Sequence, residues 1–598
     1  MRHDEYEIRQ MPLSVKFVRQ QVEQFLVQND LRLGSMDYYA AVFEHGGEEI
    51  LAGGGLCGNV IKCIAVKKGL RDAKLGLTVI SHLISTASSY GLHHLMIYTK
   101  PENEKMFEGL GFQTFAKSEH AILQENDNSL SLFKKRLAAL RCNVPSGIII
   151  LNANPFTKGH RYLIEQAAKQ VGHLFVMVVE EDLSRFPYAE RRAMVEAGCR
   201  DLPDVTVCST GSYAISAATF PTYFLKELDK ATDTQIMLDL DLFVRHIAST
   251  LNIQTRFVGS EPSDPLTQRY NKLMKEFLSM HGVVVKEIPR LHQGNVHVSA
   301  SSLRGFLKAR SLKKATALAY LSTIPYLIAD LACQSLQEEL NLTPKPGLVD
   351  RHDSGAHTDM DYEMMNRSIK ALRPFFVELA LLGWDAEKVS VSDVQTIGLQ
   401  AEKAMFEATK GVNTHKGALF SMGLTIVAAT HLMRLDGKIL AEDLQDCIKE
   451  LACQFPLTKG THGSEASLKH HVEGALAHAC KGYPDLFAKW LPFLLNEELK
   501  MKNAKTANAM GAFSNDSSSF VLHSTLLYIM STLDDTNVYY RTGEGGAQLM
   551  KNEAARILAH FSTKELEAMN RRFIAENISP GGCADMLALT LLVGSLIE

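Results

Sequence analysis

The run from Gly147 to His160 constrains the fold of this chain more than any other stretch. Ile148-Ile149-Ile150-Leu151 is short, apolar and β-branched, the composition of a central parallel strand covered on both faces. Arg161 to Val171 then places Leu163, Ile164, Ala167, Ala168 and Val171 at helical spacing. The pattern predicts strand, tight turn, helix. Between strand and helix lie Asn154 and then Thr157-Lys158-Gly159-His160. Glycine there lets backbone approach a phosphate, and the free amides of a helix start attract negative charge. A hydroxyl and an imidazole beside them suit the α-phosphate of a nucleotide whose pyrophosphate is leaving, a reaction that asks mainly for positioning and charge stabilisation.

This segment resembles the nucleotidyltransferase superfamily and its (H/T)xGH signature, with Thr157 and His160 as the anchors. Val298-Ser299-Ala300-Ser301-Ser302-Leu303-Arg304 resembles the superfamily's second element, a hydroxyl-rich helix start with an arginine. The resemblance implies catalytic roles for Thr157 and His160. It implies nucleotide or phosphate binding by Asn154, Gly159, Ser299, Ser301, Ser302 and Arg304.

A chain of 598 residues exceeds one hydrophobic core and predicts about three or four domains. Its net charge of −4 gives no general attraction to nucleic acid or an anionic membrane. Met1 to Gln10 is charged and lacks the apolar core of a signal peptide. The apolar stretches Gly417–Thr430 and Ala584–Ile597 are too short to span a bilayer and read as buried helices. Ten scattered cysteines, with no CxxC pair, predict a reducing, cytoplasmic setting without disulfides or structural zinc. No nucleic-acid or membrane partner is expected.

Residues 1–138 read as a small α/β domain. Tyr38–Phe43 and Ile50–Cys57 pair around Gly46-Gly47, Ile61–Val66 and Leu95–Tyr98 are further strands, and Leu75–Ser88 is a helix. The order resembles the N-acetyltransferase (GNAT) fold. Of that fold's acyl-CoA loop Arg71 and Gly76 match, while Lys74 replaces a glycine, so a binding or assembly role is as open as catalysis. Residues 143–320 read as a Rossmann-like doubly wound domain with strands at Leu174–Glu180, Val205–Ser209, Gln254–Val258 and Val283–Ile288. Glu180-Glu181-Asp182 suits Mg²⁺ or, more plainly, a solvated turn. Ser129–Pro145 reads as a linker, and Ala309–Tyr326 as a helical connection.

Together these regions resemble citrate lyase ligase, on Asn152–Glu165 and Arg256-Phe257-Val258-Gly259-Ser260-Glu261-Pro262. The resemblance implies that ATP activates acetate and that acetyl passes to the prosthetic-group thiol of the lyase's acyl carrier subunit, releasing AMP and diphosphate.

From residue 325 to 598 helical spacing takes over, in Ile328–Leu340, Val394–Ala408, Ala418–Leu432 and Ala554–Phe561, which predicts an all-α domain. Its polar motifs are expected between helices: Leu342–Asp350, Ser354–Asp361, Gly411–Gly417, Thr461-His462-Gly463, Asp534–Asn537 and Ser579–Asp585. Lysines and amides suit phosphate, and carboxylates suit Mg²⁺. These segments resemble triphosphoribosyl-dephospho-CoA synthase, which implies transfer of the triphosphoribosyl part of ATP to 3′-dephospho-CoA with release of adenine. Asp350 and Asp359 are then candidate catalytic carboxylates. Lys345, His415 and Lys416 are candidates for phosphate, and Asp361, Asp535 and Asp585 for Mg²⁺. Glu473 to Pro484 departs from the family pattern at Glu473, Leu476 and His478. His470, His471 and His478 read as packing residues rather than metal ligands.

The whole predicts a multidomain, bifunctional enzyme with ATP as substrate and Mg²⁺ as cofactor. The alternatives are an adenylyltransferase making a free nucleotide-linked metabolite, and a chain with one half kept as an inactive scaffold.

Overall fold

The computed structural model describes residues 6–70, 73–182, 184–214, 228–260, 265–293, 296–456, 469–507 and 516–597. Arg71, Glu261, Pro262 and Thr461-His462-Gly463 lie outside the described residues. The chain forms two compact units, Met1–Val298 and Ser299–Glu598.

The first unit holds two sheets. One is built from β1 (Tyr6–Gln10), β2 (Tyr38–Glu44), β3 (Ala52–Cys57), β4 (Val60–Val66), β5 (Met96–Thr99), β6 (Gln113–Lys117) and β7 (Ile122–Glu125), in the order β1-β2-β3-β4-β5-β7-β6. β1 to β4 are antiparallel neighbours, while β4 and β5 run parallel and pair only at Val60–Met96 and Ile61–Ile97. The crossover between these parallel strands carries the helix Ala73–Ser89, which buries Leu75, Val79, Ile80, Leu83 and Ala87 on one sheet face. A Cβ at Gly54 of β3 would lie 2.2 Å from Ile64 and 3.0 Å from Val79, so a glycine lets this helix sit down on the sheet. This is the N-acetyltransferase arrangement.

The second sheet is wholly parallel: β8 (Ser146–Leu151), β9 (His173–Val178), β10 (Val205–Ser209), β11 (Ile253–Gly259) and β12 (Val284–Ile288), in the order β10-β9-β8-β11-β12. The chain leaves β8 toward one side and later returns to the other. The switch point therefore opens beyond the carboxyl end of β8, where Thr157 lies.

Ser129–Leu140 is a helix, not a linker. Lys134-Lys135-Arg136 gives the segment its solvated look, but Phe133 and Leu137, one helical turn apart, are both buried. They belong to a core that continues from Phe25 and Tyr39 to Phe175 and Leu242, so the two sheets share one interior. Polar bonds cross the same seam. The Tyr213 hydroxyl donates to Glu125 (2.7 Å), and the Lys117 amide donates to Asp241 (2.8 Å).

The second unit is helical throughout its described residues. Helices Ile324–Asn341, Tyr362–Asp385, Lys416–Asp436 and Gly581–Leu596 pack together at its centre. Lys416–Asp436 is, among the described residues, the one helix long and apolar enough to cross a membrane, yet 78% of its most apolar window is buried, as in a core helix. Ala300–Lys308 and Leu312–Leu318 belong to this compact unit, which begins at Ser299. Ser579–Asp585 differs from the expected loop: Gly581 already begins the last helix, which places Asp585 in its second turn.

Gly347 has φ +72°, and a Cβ there would lie 2.2 Å from the Ile578 carbonyl oxygen. Gly347→Ala combines left-handed strain with a backbone clash and is expected to destabilise the second unit by about 2–4 kcal/mol. Calorimetry of the full chain would show this as a lowered unfolding temperature of one transition.

Candidate active sites

In the first unit Thr157 caps the helix Lys158–Ala168. Its hydroxyl accepts from the His160 amide (3.3 Å), while the His160 Nδ1 accepts from the Thr157 amide (3.0 Å). This is a capping box in which an imidazole takes the place usual for glutamate. An Nδ1 that accepts a backbone N–H leaves the proton on Nε2, so the ring offers a donor. Burial pushes the His160 pKa down to about 4, with the Arg290 guanidinium acting in the same direction. Phe156 stacks on the ring at 5.9 Å between centroids. A Cβ on Gly159 would lie 3.0 Å from the Val298 carbonyl oxygen, so only glycine fits this close approach.

Neighbouring loops are pinned from below. Arg191 is fully buried and donates to the carbonyls of Asn152 (2.7 Å), Val179 (2.9 Å) and Phe186 (3.0 Å), and to that of Glu181. Asn154 accepts from the Phe186 amide (3.3 Å). Glu180 accepts from the Ser209 hydroxyl and Asp182 from the Tyr188 amide, so both carboxylates hold loops. Arg290 is anchored by Ser260, through its amide to Oγ (3.2 Å) and its Nε to the carbonyl (2.9 Å). No periodic pattern marks Arg191 or Arg290, because each is fixed by carbonyls of loops outside its own element.

In the second unit Ser299 caps Ala300–Lys308 and accepts from the Ser302 amide (3.0 Å), while Arg304 donates to Ser301 Oγ (3.2 Å). This leaves an exposed serine at a nine-residue helix start.

Elsewhere in that unit a buried polar group gathers side chains from four segments. Lys345 is 1% exposed and donates through Nζ to the carboxylate and carbonyl of Glu339. Asp585 is half-buried where a Cβ on Gly417 would be 2.0 Å from its Oδ2, and it accepts from the Ala418 amide. Asp535 caps Thr536–Ala559 and also accepts from the Cys583 amide (2.8 Å), which ties two helix starts together. Burial raises the Asp585 pKa well above the carboxylate range, and the charges of Glu339 and Asp535 add to this. His415 bonds Ser368 through Nδ1 (2.8 Å), and its buried Nε2 has no partner in the protein. Burial, then the charge of Lys345, lowers its pKa to about 3.

Other expected residues lie differently. Asp350 is buried but accepts three amides, those of Lys345, His352 and Asp353, and so organises its loop. Asp361 caps Tyr362–Asp385 through the Met364 amide at an exposed position. Asp359 is exposed and faces His357, and Lys416 reaches out to Glu402 (2.6 Å). Two residues of the buried group escaped sequence reading. Glu339 is hidden inside an apolar helix. Tyr483, at φ +48° in the divergent Glu473–Pro484 segment, buries its hydroxyl within the field of Asp585.

The fit to Mg²⁺ can be judged from this group. Among the described residues, the one set of three ligand-type groups within 4.8 Å is His94, Glu125 and Asp127 in the first unit. Glu125 there is already engaged by His94, Tyr213 and the Leu130 amide. In the second unit, however, the charges of Glu339 and Asp535 both act on Asp585 while Lys345 pairs with Glu339, and a divalent cation relieves repulsion of that kind.

The buried imidazole of His160 makes a measurable difference. Its folded pKa lies below the unfolded value, so its stabilising effect is fully present above about pH 6.5 and is lost as pH falls toward about 4. NMR titration of the ring is expected to give a midpoint near 4. His160→Gln is expected to weaken the pH dependence of unfolding in that window.

Residues 146–327 match the family model described as the citrate lyase ligase C-terminal domain, and residues 325–598 match that of ATP:dephospho-CoA triphosphoribosyl transferase. The citrate (pro-3S)-lyase ligase of Haemophilus influenzae is 39% identical over 318 residues, covering 51% of this chain and 94% of that protein. The corresponding ligase of Klebsiella pneumoniae is 37% identical over 317 residues, covering 52% of this chain and 92% of that protein. The 2-(5''-triphosphoribosyl)-3'-dephosphocoenzyme-A synthase of Haemophilus ducreyi is 34% identical over 305 residues, covering 45% of this chain and 88% of that protein. The chain therefore belongs to two families at once, citrate lyase ligase through its first half and triphosphoribosyl-dephospho-CoA synthase through its second.

Proposed function

We propose that the chain is a bifunctional enzyme of citrate lyase maturation that cleaves ATP in two different ways. The observation that carries the ligase half is the neutral His160, locked by Thr157 as an Nε2 donor at a helix start. In this reading a carboxylate oxygen of acetate attacks the α-phosphorus of ATP and diphosphate leaves. The thiol of the acyl carrier subunit then attacks the acetyl carbonyl and AMP leaves. His160 Nε2–H and the helix-start amides stabilise charge on the α-phosphate, and Gly159 lets the backbone approach it. Asn154 keeps the turn in register with the Phe186 loop. Ser299, Ser301, Ser302 and Arg304 form a hydroxyl-rich, cationic helix start suited to the leaving diphosphate.

In the synthase half the 2′-hydroxyl of 3′-dephospho-CoA attacks C1′ of the ATP ribose, the bond to adenine breaks, and the triphosphate stays on C5′. Positive charge develops at C1′, and the carboxylates of the buried group supply the stabilising field. In this reading Lys345 and His415 Nε2 take phosphate oxygens, which the unpartnered His415 Nε2 supports. Asp535 and Asp585 are the residues that would hold Mg²⁺ with the triphosphate, and that ion would supply charge neutralisation there. Asp350 shapes the Lys345 loop, and Lys416 is a peripheral phosphate contact.

The two halves are expected to fail separately. His160→Ala should lower acetate-dependent AMP formation by about 10²–10³-fold and leave adenine release from ATP and 3′-dephospho-CoA unchanged. Gly417→Ala, which drives a methyl group into the Asp585 carboxylate, should do the reverse. Mass spectrometry of both products in one incubation reads this directly. Loss of both products in His160→Ala would overturn the division of labour.

A further inference from the structure

His357, Ser579 and Asp359 come together outside the buried group, and the proposed chemistry leaves them without a role. His357 Nε2 lies 2.7 Å from Ser579 Oγ, and its Nδ1 lies 3.6 Å from Asp359. The charges settle the direction of the bond. A ring nitrogen facing a carboxylate is the one that carries hydrogen, so Nδ1 is protonated toward Asp359 and the Nε2 lone pair accepts the Ser579 hydroxyl. Ser579, 2% exposed, therefore holds its hydroxyl hydrogen on the ring and keeps its oxygen lone pairs for a further donor.

The location is specific. Ser579 is the second residue before Gly581, the start of the last helix. Gly582 in that first turn leaves room for Asp535, since a Cβ would be 3.0 Å from its Oδ2. On the other side the loop bearing His357 lies directly on the Lys345 loop. The Ala356 amide donates to the Gly347 carbonyl (3.1 Å), and a Cβ on Gly355 would overlap Gly347 and Leu348 at 2.6 Å. Arg541 fixes the same loop by donating to the Ala356 carbonyl (2.7 Å). The three side chains thus stand between the segment that supplies Lys345 and the helix start that engages Asp535.

We infer that His357, acting through the Ser579 hydroxyl and oriented by Asp359, is the base that deprotonates the attacking 2′-hydroxyl in the synthase reaction. The inference rests on the triphosphoribosyl transfer proposed above. The substrate hydroxyl gives its proton to Ser579 Oγ as the serine proton passes to Nε2. The new bond forms between the 2′-oxygen and C1′. The electron pair of the C1′–N9 bond leaves with adenine, which takes up one proton from water, balancing the one His357 has accepted and later returns. The groups facing the ring are Asp359, Arg541 and Ser579. Burial, then the Arg541 charge, lowers the His357 pKa below its ordinary value despite Asp359, so the ring is neutral and able to accept near pH 7.

The test uses the full chain with Mg²⁺, ATP and 3′-dephospho-CoA, following adenine and the adduct. His357→Gln retains a hydrogen-bonding group for Ser579 but has no titratable base. Its turnover is expected to fall by about 10²–10⁴-fold while ATP affinity measured by calorimetry stays within about threefold. Wild-type turnover should decline below the His357 pKa, and that acid limb should vanish in the variant. His357→Gly should regain turnover with added imidazole, a response that a purely structural role would not produce. Ser579→Ala should also be slow. Near-wild-type turnover in His357→Gln would overturn the inference while leaving the synthase reading intact. A covalent adduct on Ser579, seen by peptide mass spectrometry, would overturn it in favour of a serine nucleophile. No adenine from the wild-type chain would sink the synthase reading itself, and this inference with it.

Discussion

The amides left unpaired at helix starts govern where the chemistry of this molecule can lie. A helix start buried without a partner for its N–H groups is costly, so a polar side chain must come to it. In the first unit Thr157 and His160 do this reciprocally, and the price is a histidine with only one nitrogen left to present. In the second unit Asp535 serves two starts at once, through Asn537 and Val538 on one helix and Cys583 on another. Asp585 takes the amide at the start of a third. The groups that satisfy the backbone are thus each held in one orientation.

That orientation requires rigid support, which the two units obtain differently. The first relies on a continuous core between sheets, so Phe133 and Leu137 of a helix that looks like a tether are interior residues. Glu125 takes the Tyr213 hydroxyl, His94 and the Leu130 amide, which leaves its carboxylate with partners from three segments across the seam. The second unit relies on close backbone approach. Gly347, Gly355 and Gly417 each stand where a methyl group would strike a carbonyl, a neighbouring loop or a carboxylate. Its loops are therefore positioned by contact rather than by a sheet.

Legibility followed the range of the interactions. The parallel strands and the strands between Tyr38 and Tyr98 are readable because burial on one face or both imposes a local apolar pattern, whereas Tyr6–Gln10, Gln113–Lys117 and Ile122–Glu125 are short and mixed with polar residues and give no such signal; Ile148–Leu151 followed by Thr157 and His160 carries the strand–turn–helix almost unaided. Ser129–Leu140 was misread because its basic triplet dominates a short window while its two inward residues are sparse. The sequence suggests a catalytic carboxylate at Asp350 and a Mg²⁺ ligand at Asp361, and it does not show that both accept backbone amides, which depends on the loops they meet. Glu339 was invisible for the opposite reason. An acid beside Glu338 near the end of an apolar helix looks like a solvated edge until Lys345 is found against it. Arg191 reaches carbonyls at Asn152, Val179 and Phe186, and no pattern in its own neighbourhood announces that.

The two halves also differ in electrostatic character in a way that matches the bond each is proposed to break. Around His160 the nearby groups are a neutral imidazole, helix-start amides and the Arg290 cation, an environment that favours negative charge gathering on a phosphorus centre. Around Asp585 burial raises the carboxyl well out of its usual range, and the charges of Glu339 and Asp535 add to this. Such a site stores repulsion that a cation relieves, and an anomeric carbon losing its base becomes cationic while a triphosphate arrives with its metal. In the proposed reading the same nucleotide meets opposite fields in the two units. One field favours cleavage at the α-phosphate and the other at the glycosidic bond. Neither half could take over the other's reaction by small changes in its loops, because the sign of the charge is set by side chains that also satisfy the helix starts.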